Sequence, residues 1–156
     1  VATQSSTRWK EALDELEAWC SSKGLKLFFL RSERTGAYWD LSREIIVNSR
    51  FCDETKCYII LHEAGHYLYS IDHSGGRSSW RVKAIEPQSD SPVHLRHEHA
   101  LNLLKEEYEA WDRGLKLGRR LGILPTGDLP KNWSKLKNKC LASYVADTAA
   151  KLAEKP

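Results

Sequence analysis

Methionine is absent from this 156-residue chain, phenylalanine occurs three times and proline five. No apolar run approaches the roughly 18 residues that a membrane-crossing helix needs, so a membrane partner is not expected. The opening residues, VATQSSTRWK, lack the apolar stretch of a signal peptide and point to a cytoplasmic protein. The four cysteines (Cys20, Cys52, Cys57 and Cys140) include no Cys-x-x-Cys pair, which removes a zinc ribbon from the candidates. Their irregular spacing favours free thiols over bridges. Charge of one sign is also lacking: 24 Lys and Arg against 21 Asp and Glu leave a net +3. Nucleic-acid binders carry a denser basic stripe, and the local runs at 116–120 and 131–139 read as solvated helix faces. Internal repeats and low-complexity tracts are missing. What remains is an ordinary globular composition, 41% hydrophobic and 29% charged, at a length that suits one domain with a sizeable core.

Within that plain background, residues 62–66 read His-Glu-Ala-Gly-His. On an α-helix two histidines four apart fall on one face, one turn from each other. Imidazoles so spaced can hold one Zn²⁺, while Glu63 is placed to take a proton from a water that the ion activates. The bare string can arise by chance, but its surroundings strengthen it. Cys57-Tyr58-Ile59-Ile60-Leu61 leads into it, and Ala64, Gly65, Tyr67, Leu68 and Tyr69 continue without proline. Two histidines and a glutamate inside such a helix would be costly to bury without a compensating partner, and a metal is one. The bland alternative is a core helix with two satisfied histidines and a solvated glutamate.

Periodicity supplies the frame. From about Thr7 to Ser22 the residues Trp9, Leu13, Leu16 and Trp19–Cys20 make one helical stripe, which Gly24 ends. Leu25–Leu30 reads as a strand, Ala37–Trp39 as a short second one after the turn-like Arg34-Thr35-Gly36, and Glu44–Val47 as a third. A helix from about Glu54 to Ile71 carries the motif and breaks at Asp72-His73-Ser74-Gly75-Gly76. Residues 77–92 read as irregular. A long helix follows, about Val93 to Leu121, with Leu101, Leu104, Tyr108, Trp111 and Leu115 as its apolar face and Gly122 as its end. A last helix, about Trp133 to Leu152, turns Leu136, Cys140, Tyr144 and Val145 inward. The expected fold is α+β: a small mixed sheet of about three strands packed on a helical core, with the histidine-bearing helix central.

A catalytic zinc site takes three protein ligands and keeps one position open. Three sources compete for the third ligand. His73 lies seven residues past His66, but a metzincin-like string wants Gly at 69 and His at 72, where the chain has Tyr69 and Asp72. The second source is a carboxylate on the following helix. There 103, 107, 110–111 and 114 share a face with Leu104 and Trp111 close by, while Glu106 and Glu109 rotate away. Glu107, at the border of the buried face, is favoured. The third source is His97 or His99 near the start of that helix. These two, like His94, read more plainly as exposed side chains.

The order of strand, His-Glu-x-x-His helix and second helix with Glu-x-x-Ala resembles the zincin-fold, gluzincin-type peptidases related to the repressor-cleaving family of phages and mobile elements. That family often carries Glu-x-x-Ala-Asn/Asp on the second helix. Glu107-Tyr108-Glu109-Ala110 fits, with Trp111 where a small polar residue is usual. Residues 109–117 are similar to uncharacterised members encoded by bacteria and phages. The resemblance covers roughly residues 40–122, with His-Glu-x-x-His as its strong string. It implies one zincin-like domain over 1–156, its core at about 25–122. It also implies one catalytic Zn²⁺ on His62, His66 and Glu107, with Glu63 as general base. Ile45-Ile46-Val47-Asn48 looks like the edge strand that lines a substrate cleft, where an extended peptide would add by main-chain hydrogen bonds. Zinc histidines need a further group to orient them, and Asp112 and Glu109 are the candidates. The thermolysin pattern Glu-x-x-x-Asp is not met, since Trp111 stands four past Glu107.

The leading expectation is a zinc metalloendopeptidase acting on a protein or peptide substrate. It would need a donor for the tetrahedral oxyanion, and His97, His99, Tyr67 and Tyr144 are unranked for that role. So short a chain leaves few loops for deep pockets, so the cleft is expected to be shallow. A second class is a metal-stabilised regulatory or DNA-associated binding module with little or no proteolysis. Glu63 speaks against it, because a structural site is closed by four ligands and needs no base. A third reading, proteolysis at DNA, needs aromatics interleaved with cations. Only Trp133-Ser134-Lys135-Leu136-Lys137-Asn138-Lys139 has that composition. The oligomeric state is not set by the sequence.

Overall fold

The stripe of Trp9, Leu16, Trp19 and Cys20 forms the buried side of helix α1, Ala2–Ser22, which starts at Ala2 rather than near Thr7. The computed structural model describes residues 2–31, 36–39, 42–74 and 92–153, with backbone alone at 2–6, 36–39, 73–74, 93 and 151. Gly24 ends α1 as expected: its φ of +69° lets the Gly24 and Leu25 amides turn back onto the carbonyls of Ser21 and Cys20.

Three strands follow, β1 (Lys26–Leu30), β2 (Gly36–Trp39) and β3 (Glu44–Asn48). Their order in the sheet is β1-β3-β2, with β1 parallel and β2 antiparallel to β3. The sheet is mixed and the fold is α+β. Leu27 and Phe29 pair in register with Ile45 and Val47, and this set makes the inner face. Ile45 and Val47 are fully buried, while Lys26, Phe28 and Leu30 alternate outward. The expected edge role of residues 45–48 is overturned. β3 is the centre strand, hydrogen-bonded on both sides, so no peptide can add to it. A β-branched run buried on one face and paired at both edges suits the middle of a sheet, and among the described residues β1 and β2 are the outer strands.

Helix α2 spans Asp53–Ser74, α3 spans Val93–Arg120 and α4 spans Lys131–Ala153. Asp53 and Glu54 place negative charge in the first turn of α2, where the helix dipole favours it. α2 runs on through Asp72 and His73, past the expected break. The stretch expected to be irregular, 77–92, lies outside the described residues except for Pro92. Gly122, at φ +72°, ends α3, and the Ile123 and Leu124 amides close onto the Gly118 carbonyl. Cys57, Tyr58, Ile59, Ile60, Leu61 and Ala64 are all at most 3% exposed, so α2 is the central element of the core.

α2 and α3 cross with their backbones in contact. A Cβ built on Gly65 would lie 1.9 Å from the Ala110 carbonyl oxygen, and one on Gly114 would lie 2.3 Å from that of Leu61. Ala110, Gly114 and Gly118 recur every fourth residue, which strips one face of α3 to its backbone over two turns. That face, rather than the bulky one, takes α2. Leu101 and Tyr108, expected inside, are 67% and 55% exposed, because the contact face is rotated toward Glu107, Ala110, Gly114 and Leu117. On α4, Leu136 and Cys140 are half-buried as expected, but Tyr144 and Val145 are exposed at 39% and 52%. Trp133 is buried edge-on between Tyr58 and Trp111, at 5.3 and 5.1 Å between ring centroids. It is core and offers no platform for a base. Among the described residues no helix is long and apolar enough to cross a membrane, and all four cysteines are free.

Candidate metal centre

The helix crossing explains where the polar side chains go. Gly65 lies between His62 and His66, and Ala110 lies three residues past Glu107. Where these two small residues touch, the flanking side chains must meet. Glu107 Oε2 is 3.3 Å from His62 Nε2, and Glu107 Oε1 is 3.3 Å from His66 Nε2. The imidazole centroids are 4.7 Å apart. His62, Glu63 and Glu107 are 8%, 7% and 6% exposed. His62, Glu63 and His66 also each present a ligand atom within 4.8 Å of the others. Three carboxylates thus border one imidazole pair, Glu63 from α2 itself and Glu106 and Glu107 from α3.

A zinc site fits this donor set on two counts. Charge-assisted hydrogen bonds run at roughly 2.7–2.9 Å, so both Glu107 contacts, at 3.3 Å, are ion pairs with room to tighten on a shared cation. Glu107 sets one carboxylate oxygen 3.3 Å from each imidazole Nε2, Oε2 at His62 and Oε1 at His66, so all three side chains face one point between them, as ligands of one ion would. In addition, Glu107 Oε2 is buried with no hydrogen-bond partner among the described residues. A buried carboxylate oxygen in that state is costly unless a cation takes it.

The electrostatics of the metal-free cluster follow from the same geometry. Burial pushes the His66 imidazole down. Hydrogen bonds to Glu106 and Glu107 and the charges of Glu107 and Glu63 outweigh it, raising His66 to about 10. Burial pushes Glu107 up, but His62 and His66 bring it down to about 2. Without metal the cluster therefore holds an imidazolium against a carboxylate.

The surroundings of the two histidines differ. His62 is stacked on Trp111, with ring centroids 4.3 Å apart and planes 21° from parallel. Its Nδ1 is buried without a hydrogen-bond partner among the described residues. Asp112 and Glu109, expected to support it, are engaged elsewhere. Asp112 pairs with Lys116 at 2.7 Å, and Glu109 pairs with Arg113 at 3.7 Å. Both sit one turn from a cation on the outer side of α3, and Arg113 also binds Asp72 of α2. His66 Nδ1, by contrast, lies 3.5 Å from Glu106 Oε1.

Helix α4 closes another side of the site. Burial, the Glu107 charge, a hydrogen bond to Glu107 and the Glu63 charge all push the Tyr144 phenol up. Burial followed by the same two carboxylates raises the Cys140 thiol. Of the other oxyanion candidates, Tyr67 packs edge-on against Trp19 at 6.2 Å, toward α1. His97 is exposed, and His97 and His99 lie about 15 and 12 Å before Glu107 along the α3 axis at about 1.5 Å per residue. His94 is exposed as expected. His73 ends α2 and its side chain lies outside the described residues.

The structure brings His62, Glu63, His66 and Glu107 into one cluster; from the sequence alone several of its neighbours were not read. Missed were Glu106 as a partner of His66, Trp111 as a partner of His62 and Cys140 as a neighbour of the site. The small-residue spacing at 110, 114 and 118 was the signal that fixes the rotation of α3. No protein-family model, curated protein or solved structure matches the chain.

Proposed function

We propose that the chain is a zinc-dependent metallopeptidase that hydrolyses peptide bonds of a protein substrate. The observation that carries the reading is the convergence of the Glu107 carboxylate on both imidazoles, one oxygen 3.3 Å from each Nε2. His62, His66 and Glu107 would hold one Zn²⁺. Bound there, the ion would supply a Lewis acid that lowers the pKa of a water to about 7 and polarises the scissile carbonyl. Glu63 follows His62 on the same helix and is 7% exposed. It takes the proton of the attacking water and returns it to the leaving amine. Tyr144 remains a phenol at neutral pH and donates a hydrogen bond to the developing oxyanion.

Two features favour an enzyme over a metal-stabilised binding module. Three protein ligands leave a zinc position open, and Glu63 sets a second buried carboxylate beside the imidazole pair, where an open site can use a base. The burial of Trp133 at 1% exposure also takes away the aromatic that a DNA-associated reading needed.

The test is metal content by mass spectrometry together with hydrolysis of an unfolded protein substrate, for wild type, Glu63→Gln and Glu107→Ala. Wild type and Glu63→Gln should carry near-stoichiometric zinc, and Glu107→Ala should lose it. Hydrolysis should fall by about 10²–10⁴-fold in Glu63→Gln. A wild-type protein without zinc would overturn the proposal. Zinc with equal turnover in wild type and Glu63→Gln would remove the role of Glu63.

A further inference from the structure

Glu106 and Glu107 are consecutive on α3, and successive side chains of a helix point about 100° apart. Both nevertheless reach one imidazole. Glu107 Oε1 meets His66 Nε2 at 3.3 Å, and Glu106 Oε1 meets His66 Nδ1 at 3.5 Å. The His66 ring is therefore spanned across its two nitrogens by two neighbouring carboxylates.

We infer that Glu106 is the positioning residue of the centre, holding Nδ1–H of His66 so that Nε2 presents its lone pair to the ion. The inference rests on the metallopeptidase reading for the ligand set. An imidazole that binds metal through one nitrogen keeps a proton on the other. A carboxylate on that proton fixes the tautomer, sets the ring plane and raises the basicity of the ligand. Glu106 has the right atom in place for this. Its side chain is 23% exposed and the imidazole it holds is 14% exposed, so Glu106 reaches the ring from the solvent side of the cluster.

The two histidines thus differ in what restrains them. His62 has an aromatic face against it and no hydrogen-bond partner at Nδ1 among the described residues. Glu106 supplies to His66 what Trp111 cannot supply to His62. A glutamate one position from a ligand would ordinarily be read as part of a solvated charge cluster, and Glu109 on the same helix is such a residue.

The experiment measures zinc affinity by chelator competition, and the visible spectrum of the Co²⁺-substituted protein, for wild type, Glu106→Gln, Glu106→Asp and Glu109→Gln. Circular dichroism in chelator establishes that each variant folds. Glu106→Gln should bind zinc about 10–100-fold more weakly and shift the cobalt bands. Glu106→Asp should recover part of the affinity, and Glu109→Gln should match wild type. Tight zinc in wild type with Glu106→Gln within about threefold of it, or equal losses in Glu106→Gln and Glu109→Gln, would overturn the role of Glu106 alone. A wild type that takes up neither ion would bring down the ligand set, and this inference with it.

Discussion

The indole of Trp111 lies flat against the imidazole of His62, 4.3 Å between centroids and 21° from parallel. Trp111 meets Trp133 edge-on, Trp133 meets Tyr58, and Tyr58 meets Trp9. His62 is the polar end of an aromatic file that runs from α3 through α4 and α2 to α1. Stacking fixes the plane of the ring without engaging its Nδ1, so the orientation of this histidine depends on core packing. Trp111→Ala should cost about 3–5 kcal/mol in urea unfolding of the metal-free protein. Trp111→Phe keeps a ring at the position and should cost much less. Equal losses for the two variants would show that the stack does not matter.

A methyl group at position 65 has no room. Gly65→Ala sets a Cβ 1.9 Å from a backbone oxygen, which no side-chain rotation relieves. The helices must part, at a cost of about 1–3 kcal/mol or more from overpacking, against a helix-propensity gain of about 1 kcal/mol. Parting α2 from α3 also draws His62 and His66 away from Glu107, so zinc affinity should fall with stability. Gly127→Ala has no heavy atom within 4 Å and is the neutral control. A Gly65→Ala protein as stable and as zinc-tight as the control would disprove the close crossing.

Acid and base act on the two halves of the cluster in opposite ways. His66, raised from 6.5 to about 10, stabilises the metal-free fold fully below pH 6.5, and the contribution is lost as pH rises through 10. Glu107, lowered from 4.5 to about 2, contributes above pH 4.5, and this is lost as pH falls through 2. Metal-free protein should melt highest between pH 4.5 and 6.5 as far as this pair decides it. Zinc uptake runs the other way. The ion must displace the His66 proton, so affinity should climb with pH across the neutral range and binding should release protons. Titration calorimetry in buffers of different ionisation enthalpy checks the release. Proton-neutral binding near pH 7 would contradict the assignment.

Tyr144→Phe removes one hydroxyl from the rim of the site and no ligand. At saturating metal, zinc content should be unchanged, KM should change little, and kcat should fall by about 10²–10³-fold as the phenol's hydrogen bond to the oxyanion is lost. A rise in KM at constant kcat would instead make Tyr144 a substrate contact.

Much of the frame was legible in the residues. Gly24 and Gly122 ended helices where a left-handed residue was needed, and the three strands were read close to their observed bounds. Strand order was not legible, because Ile45-Ile46-Val47 fits a centre strand and a half-covered edge equally well until pairing is known. The face of α3 was misjudged for a related reason. Bulky residues mark a buried stripe in most helices, yet here two glycines and an alanine take the closest contact and leave Leu101 and Tyr108 outside. Glu106 was weighed as a ligand and set aside because helical geometry turns it away from Glu107, and only the position of the His66 ring brings both within reach.

The crossing of α2 and α3 has a kinetic consequence. Amides around Gly65 and Gly114 sit where two backbones touch, so they should exchange with solvent only when the whole domain opens. The histidines and Glu107 are carried by that slowest-opening unit. α4 differs: past Cys140 it is mostly exposed, and it contributes Tyr144 from a part of the helix with little core to hold it. The centre then has one wall in the slowest-opening unit and one on an exposed helix, so amide exchange around Tyr144 should be faster than around His62, His66 and Glu107.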